Sequence, residues 1–219
     1  MTKPPPTTLL DEFYLRFLED EDAAGLIAAV SQYYLQATLE RLARCGSWRT
    51  RRGAVLALGL LGDMDCSPVL GRALHDRDGV VRILAENSIR EVWQRDGSME
   101  QRQQLAVVTR LNHAYQFEEA LELSTLLIRQ APRFAEAWNQ RAIAHFRLGQ
   151  YEAAANDCQQ TLELNPYQFG SLVGMAHCYL EMAEGFAALE CFRRAVEVNP
   201  GMEAVHGQIR FLERALDDS

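Results

Sequence analysis

The chain has 219 residues, 48% of them hydrophobic and 24% charged. That is enough for one sizeable domain or two small ones and ordinary for a globular chain. The formal net charge of −8, from 22 basic and 30 acidic residues, disfavours a nucleic-acid partner. No stretch approaches the ~18 uninterrupted apolar residues of a membrane span.

The opening phrase MTKPPPTTLLDEF holds three prolines, one lysine and no long apolar core. It does not read as a secretory signal, and cytoplasm is the expected location. Residues 1–19 are assigned to this segment and a first helix. The five cysteines, Cys45, Cys66, Cys158, Cys178 and Cys191, are odd in number and form no CxxC pair. Each falls in or beside an apolar helical pattern, so reduced, buried thiols are expected.

Residues 20–97 carry a 31-residue periodicity. Arg51 aligns with Arg82, Ala54 with Ala85, Leu58 with Ile89 and Leu61 with Val92; upstream, Leu39 and Ala43 fall 31 residues before Leu70 and Leu74. The pattern resembles HEAT-like repeats, shorter than the ~40–47 residues of standard units and similar to the compact kind in phycobilin-lyase relatives. That resemblance implies a stacked ladder of Asp and Arg, with Asp78, Arg51 and Arg82 read as structural. Arg49, Arg51 and Arg52 form the one basic run that suggests phosphate. This leaves an alternative function open, an enzyme or enzyme subunit of lyase-like or nucleic-acid-modifying type using Arg49–Arg52. A solvated helix start plus the ladder suits the acidic total better.

Asp96-Gly97-Ser98 marks the next boundary: Gly97 stops a helix, and Ser98 with Gln101 three residues on starts one as a capping box. So short a linker predicts that the two arrays stack as one superhelix.

Residues 98–200 repeat without a gap. Pro132, Pro166 and Pro200 are each 34 residues apart, the last two ending the phrases TLELNP and AVEVNP. Proline ends the second helix of each block because it lacks an N–H and restricts its predecessor. Within the middle block, Ala135–Leu148 and Tyr151–Leu164 are predicted as antiparallel helices about a turn at Gly149-Gln150. Trp138, Arg141-Ala142, His145, Ala154, Cys158 and Pro166 occupy the signature positions of the tetratricopeptide repeat (TPR), which this block resembles. The third block offers Leu172, Met175-Ala176, Tyr179, Ala188, Phe192 and Pro200; the first, Gln104, Val107-Val108, Leu111, Ala120, Ser124 and Pro132, is the most degenerate. Residues 201–219 supply a cap helix, with Val205, Ile209, Leu212 and Leu216 on one stripe. The expected fold is all-α, an α-solenoid of antiparallel helix pairs with HEAT-like repeats, three TPR units and a cap.

No GxSxG, P-loop, HExxH or strand-led GxGxxG is present, so neither catalytic residues nor a cofactor is predicted. His113, His145 and His177 are spaced by 32 rather than 34, so they drift round their helices and cannot form one ladder. Even with Cys178 beside His177, the three or four converging ligands of a metal site are lacking.

The TPR resemblance implies a concave groove lined by the first helix of each pair. Projected onto this chain, it gives Arg102, Leu105, Thr109 and Asn112; then Asn139, Ile143, Phe146 and Arg147; then Val173, His177, Leu180 and Glu181. Phe146, Ile143, Val173 and Leu180 would make an apolar strip, and the Asn112 and Asn139 amides would hold a peptide backbone. Leu105 and Thr109 stand where the chaperone-tail clamp of some TPR proteins has a Lys and an Asn, which argues against heat-shock chaperone tails. The function expected is a bacterial, cytoplasmic, non-catalytic scaffold that binds a protein or peptide, with self-association through a repeat end left open.

Overall fold

The computed structural model describes residues 8–217; most of the proline-rich opening read above lies outside them. The described residues form thirteen α-helices and one 3₁₀ turn, with no strand. The chain divides between Trp93 and Gln94 into two compact units.

The first unit contains α1 (Leu9–Asp20), α2 (Ala23–Tyr33), α3 (Gln36–Cys45), α4 (Trp48–Leu61), α5 (Ser67–Ala73) and α6 (Gly79–Gln94). Thr8 and Asp11 start α1 with a reciprocal capping box, and the Ser47 side chain caps α4 by accepting the Thr50 N–H. The 31-residue register holds inside the core: Leu39 and Leu70, Ala43 and Leu74, Ala54 and Ala85, and Leu58 and Ile89 are all buried. It fails at both ends, where Arg51 is buried and Arg82 exposed, and where Val92 is buried and Leu61 exposed. α4 and α6 meet closely enough that Ser88 Oγ donates to the Val55 carbonyl at 3.1 Å. A Cβ on Gly59 would sit 2.2 Å from that hydroxyl oxygen, so only glycine fits there.

The second unit stacks α7 (Met99–His113) on α8 (Phe117–Gln130), α9 (Ala135–Arg147) on α10 (Tyr151–Leu164), and α11 (Phe169–Glu181) on α12 (Gly185–Val198), followed by α13 (Glu203–Asp217). Ser98 and Gln101 close the capping box that the sequence foresees. Ala142, Ala154, Ala176 and Ala188 are buried, and their small side chains let paired helices approach while Phe169, Leu172 and Phe192 fill the space between repeats. Each such large side chain contributes roughly 1.5–3 kcal/mol on burial. The cap helix buries Val205, Ile209 and Leu212 and half-buries Leu216.

The same 34-residue register governs the turns. Tyr115, Gly149 and Ala183 have φ of 61°, 73° and 61°. In each repeat the following N–H reaches back to a carbonyl five residues earlier, Gln116 to Leu111, Gln150 to His145 and Glu184 to Tyr179. Sequence inspection finds Gly149 alone, because the other two positions carry residues that tolerate the left-handed region poorly.

The buried-thiol expectation holds for Cys66, Cys158, Cys178 and Cys191 but not for Cys45, which is exposed at the end of α3.

Candidate functional site

The first helices α7, α9 and α11 pack directly side by side, α7 on α9 and α9 on α11, while the second helices stand further apart. Helices that crowd on one side and spread on the other curve the stack, so the face built from α7, α9 and α11 is the inner one.

A buried hydrogen-bond network stitches this face together. Asn112 Nδ2 on α7 donates to both the carbonyl and the side-chain Oε1 of Gln140 on α9, at 3.0 Å each. Gln140 Nε2 and Asn139 Nδ2 both donate to Glu136 Oε1 at 2.9 Å. The other carboxylate oxygen of Glu136 accepts from Gln168 Nε2 at 2.8 Å. Ser171 Oγ on α11 donates to Asn139 Oδ1 at 2.8 Å. Glu136, Gln140, Gln168 and Ser171 are all buried, and a buried carboxylate demands such donors. The amides of Asn112 and Asn139, expected to hold a ligand backbone, therefore donate to neighbours inside the protein instead. A polar side chain on an inner helix need not face a ligand when adjacent helices supply its partners.

The remaining groove candidates divide by exposure. Leu105 is buried beside Phe134 and Leu127. Thr109 is half-buried, and Arg102 is exposed with its Nε donating to the Gly97 carbonyl at 3.0 Å. Phe146 and Val173 are half-buried against the core, Phe146 lying 5.5 Å from the Tyr151 ring. Ile143 and Leu180 are exposed, at 40% and 36%. Arg147 and Glu181 are exposed, with the Arg147 guanidinium over the Tyr115 and Phe117 rings at 5.5 and 5.4 Å. His177 sits edge-on to Phe192 at 5.4 Å. Burial pushes its pKa below the ordinary 6.5, against the pull of Glu181, which favours the neutral ring.

One exposed residue was missed by the sequence reading. Phe211 lies 34 residues after His177 and 68 after Ile143, and it is 71% exposed. α13 obeys the repeat register as well as capping it: His206 Nε2 bonds the Pro200 carbonyl at 3.1 Å just as Trp138 Nε1 bonds that of Pro132 at 3.0 Å. Reading α13 only as a lid hid Phe211; extending the 34-residue column would have found it.

Away from the groove, half-buried Arg141 pairs bidentately with buried Asp157, at 2.7 and 2.8 Å, beside the Trp138 ring. Burial pushes the Cys178 thiol up to about 11 and raises Cys158 and Cys191 further from the thiolate form, which suits core packing rather than nucleophilic attack. Among the described residues no three His, Cys, Asp or Glu side chains are grouped to hold a metal ion. No described helix is long and apolar enough to cross a membrane.

Residues 135–168, a full 34-residue unit with Trp138 near its start, match the family model of the tetratricopeptide repeat. The chain carries a tetratricopeptide repeat. A TPR repeat-containing protein of Rhizobium etli is 29% identical over 97 residues, 44% of this chain and 48% of that protein. The SGT1 homolog of Bos taurus is 35% identical over 82 residues, 37% of this chain and 24% of that protein. The chain thus spans about half or less of the length of these curated relatives. Among solved structures, the Sgt2 TPR domain of Aspergillus fumigatus matches with a TM-score of 0.52 at 20% identity, over 55% of this chain and 82% of that one. The TPR2B domain of yeast Sti1, solved as a complex with pHsp70, matches at 0.50 and 22% identity, over 54% and 99%. At such identities the likeness is one of fold.

Proposed function

We propose that this protein is a non-catalytic, cytoplasmic interaction scaffold whose inner TPR face binds an apolar peptide or partner segment. The observation that carries this reading is the set of apolar side chains left exposed on that face in register. Ile143 and Phe211 fall in one 34-residue column with His177 between them, and Leu180 lies 34 residues after Phe146. The polar groups of the same face bond one another, so apolar contact rather than amide hydrogen bonding drives capture. Arg102, Arg147 and Glu181 stand at its rim. The Hsp70 association named for the Sti1 domain is not carried over, since Leu105 and Thr109 offer no cation to a terminal carboxylate.

On this reading the first unit is a HEAT-like segment, supported by the 31-residue register of its buried positions. The phosphate-binding alternative loses support because Arg51 and Arg52 both face carboxylates in bidentate pairs.

The test is site-specific photocrosslinking in the native host. A benzophenone side chain at position 143 or 211 should capture a partner that the same group at Gln159, exposed on the second helix α10, does not. Phe146→Ala with Leu180→Ala should abolish the capture. Equal labelling from position 159 would sink the proposal.

A further inference from the structure

We propose that the cleft at the start of α4 is a second docking surface, one that takes an acidic peptide segment bearing an aromatic residue. The cleft holds about 550 Å³ and is lined by Ser47, Trp48, Arg51, Arg52, Arg77 and Asp78. It lies wholly within the first unit and does not depend on the reading of the TPR face.

Charge is the first argument. Arg51, Arg52 and Arg77 line the cleft with Asp78, Arg49 lies over the Trp48 ring, and Asp76, paired with Arg51, accepts from Arg82 through its carbonyl; five arginines against two aspartates leave a surplus of three positive charges in a chain whose total is −8. The two carboxylates are fully engaged. Arg51 Nε and Nη2 meet Asp76 at 2.7 Å each, and Asp76 Oδ1 also accepts the Asp78 N–H at 2.8 Å. Arg52 Nε and Nη2 meet Asp78 at 2.9 and 2.8 Å, and Asp78 Oδ1 caps the Val81 N–H at 3.0 Å. Arg49 and Arg77 make no ion pair with any described carboxylate. Two fixed pairs hold the walls, and two unopposed guanidinium groups remain to meet an anion. Guanidinium forks suit carboxylates, which they bind bidentately.

Trp48 is the second argument. The residue is 48% exposed, yet its ring is held: the Arg52 guanidinium lies 4.4 Å from the ring centroid and that of Arg49 lies 5.0 Å away. Asp78 pins Arg52 against the ring, so Trp48 is a preformed apolar surface whose exposed part can contact a second ring. An aromatic side chain flanked by glutamates or aspartates meets both demands at once, packing on the exposed part of Trp48 while its neighbours reach Arg49 and Arg77.

The charge favours a peptide over a nucleic acid. A surplus of three matches a few carboxylates, whereas an extended polyanion would also meet the acidic field of the whole chain.

The experiment uses the full chain and a fluorescein-labelled synthetic peptide of glutamates around a single phenylalanine. The same peptide with glutamine for glutamate should bind at least about tenfold more weakly, and the affinity should fall with added salt. Arg49→Ser with Arg77→Ser, which breaks no ion pair, should weaken the glutamate peptide by about fivefold to tenfold at an unchanged helical melting curve. Trp48→Ala should erase the preference for phenylalanine over alanine in the peptide. Gln159→Ser, exposed on α10 of the other unit, should leave the affinity for this peptide unchanged. The proposal is overturned if the double arginine variant binds as the parent does, if Gln159→Ser is the variant that loses binding, or if a single-stranded oligonucleotide of equal charge binds more tightly than the peptide.

Discussion

Gln168 Nε2 donates to the Glu136 carboxylate at 2.8 Å, and both side chains are buried, so one charge is shared across the boundary between two successive repeats. Glu136 also receives the Asn139 and Gln140 amides. Glu136→Ala strands three donors, those of Gln140 and Gln168 buried and that of Asn139 half-buried, and should cost about 2–4 kcal/mol, since unmade buried hydrogen bonds cost far more than made ones contribute. Gln168→Ala removes one donor and leaves the carboxylate those of Asn139 and Gln140, and should cost about 1–2 kcal/mol. Urea unfolding of the second unit measures both. Equal losses would mean that the carboxylate does not act as the hub.

The repeat itself was legible because it rests on residues with strong local rules: proline ending α8, α10 and α12, and alanine wherever paired helices touch. The inner-face network was not. Asn139 and Asn112 look solvent-facing in sequence, and only the stacking of α7, α9 and α11 shows that Gln140 and Glu136 receive their amides. Arg141 was equally opaque, because a long cation at a packing position becomes intelligible only when Asp157, sixteen residues away, closes on it. The ladder implied through Asp78, Arg51 and Arg82 is not what forms: Arg51 takes Asp76 and Arg52 takes Asp78, while exposed Arg82 donates to the Asp76 carbonyl.

The turn register yields a stabilising substitution. Ala183 sits at φ 61° where the equivalent residue of the middle repeat is Gly149 at φ 73°. An L-side chain pays a steric penalty in that region and glycine does not. Ala183→Gly should therefore stabilise the second unit by about 0.5–1 kcal/mol, and Gly149→Ala should destabilise it by about 1 kcal/mol although nothing lies within 4 Å of the added methyl. A rise in Tm for the first and a fall for the second is the expected pair of results.

Phe192 and Phe211 should separate packing from binding. Phe192 is fully buried and Phe211 is 71% exposed. Phe192→Ala should cost about 3–5 kcal/mol. Phe211→Ala should alter stability by no more than about 0.5 kcal/mol while reducing partner capture at the inner face. A large Tm loss for Phe211→Ala would show that the ring serves the cap helix instead.

Asp78 supplies a pH dependence of defined sign. Its hydrogen bonds from Arg52, helped by the Val81 N–H and opposed by burial, hold the carboxyl at about 2 against an ordinary 3.8. Because the folded value is depressed, the stabilisation is fully present above about pH 4 and is lost as the pH falls towards 2. With allowance for the water that still reaches this pair, its size is about 1 kcal/mol. Asp78→Asn should thus lower the stability of the first unit at pH 6 by about that amount. The gap between the parent and the variant should narrow between pH 4 and pH 2, as followed by urea midpoints at each pH. Other carboxylates titrate over the same range in both proteins and cancel in the difference. A gap that stays constant down to pH 2 would mean that the Asp78–Arg52 pair contributes geometry at the helix start and no net charge stabilisation.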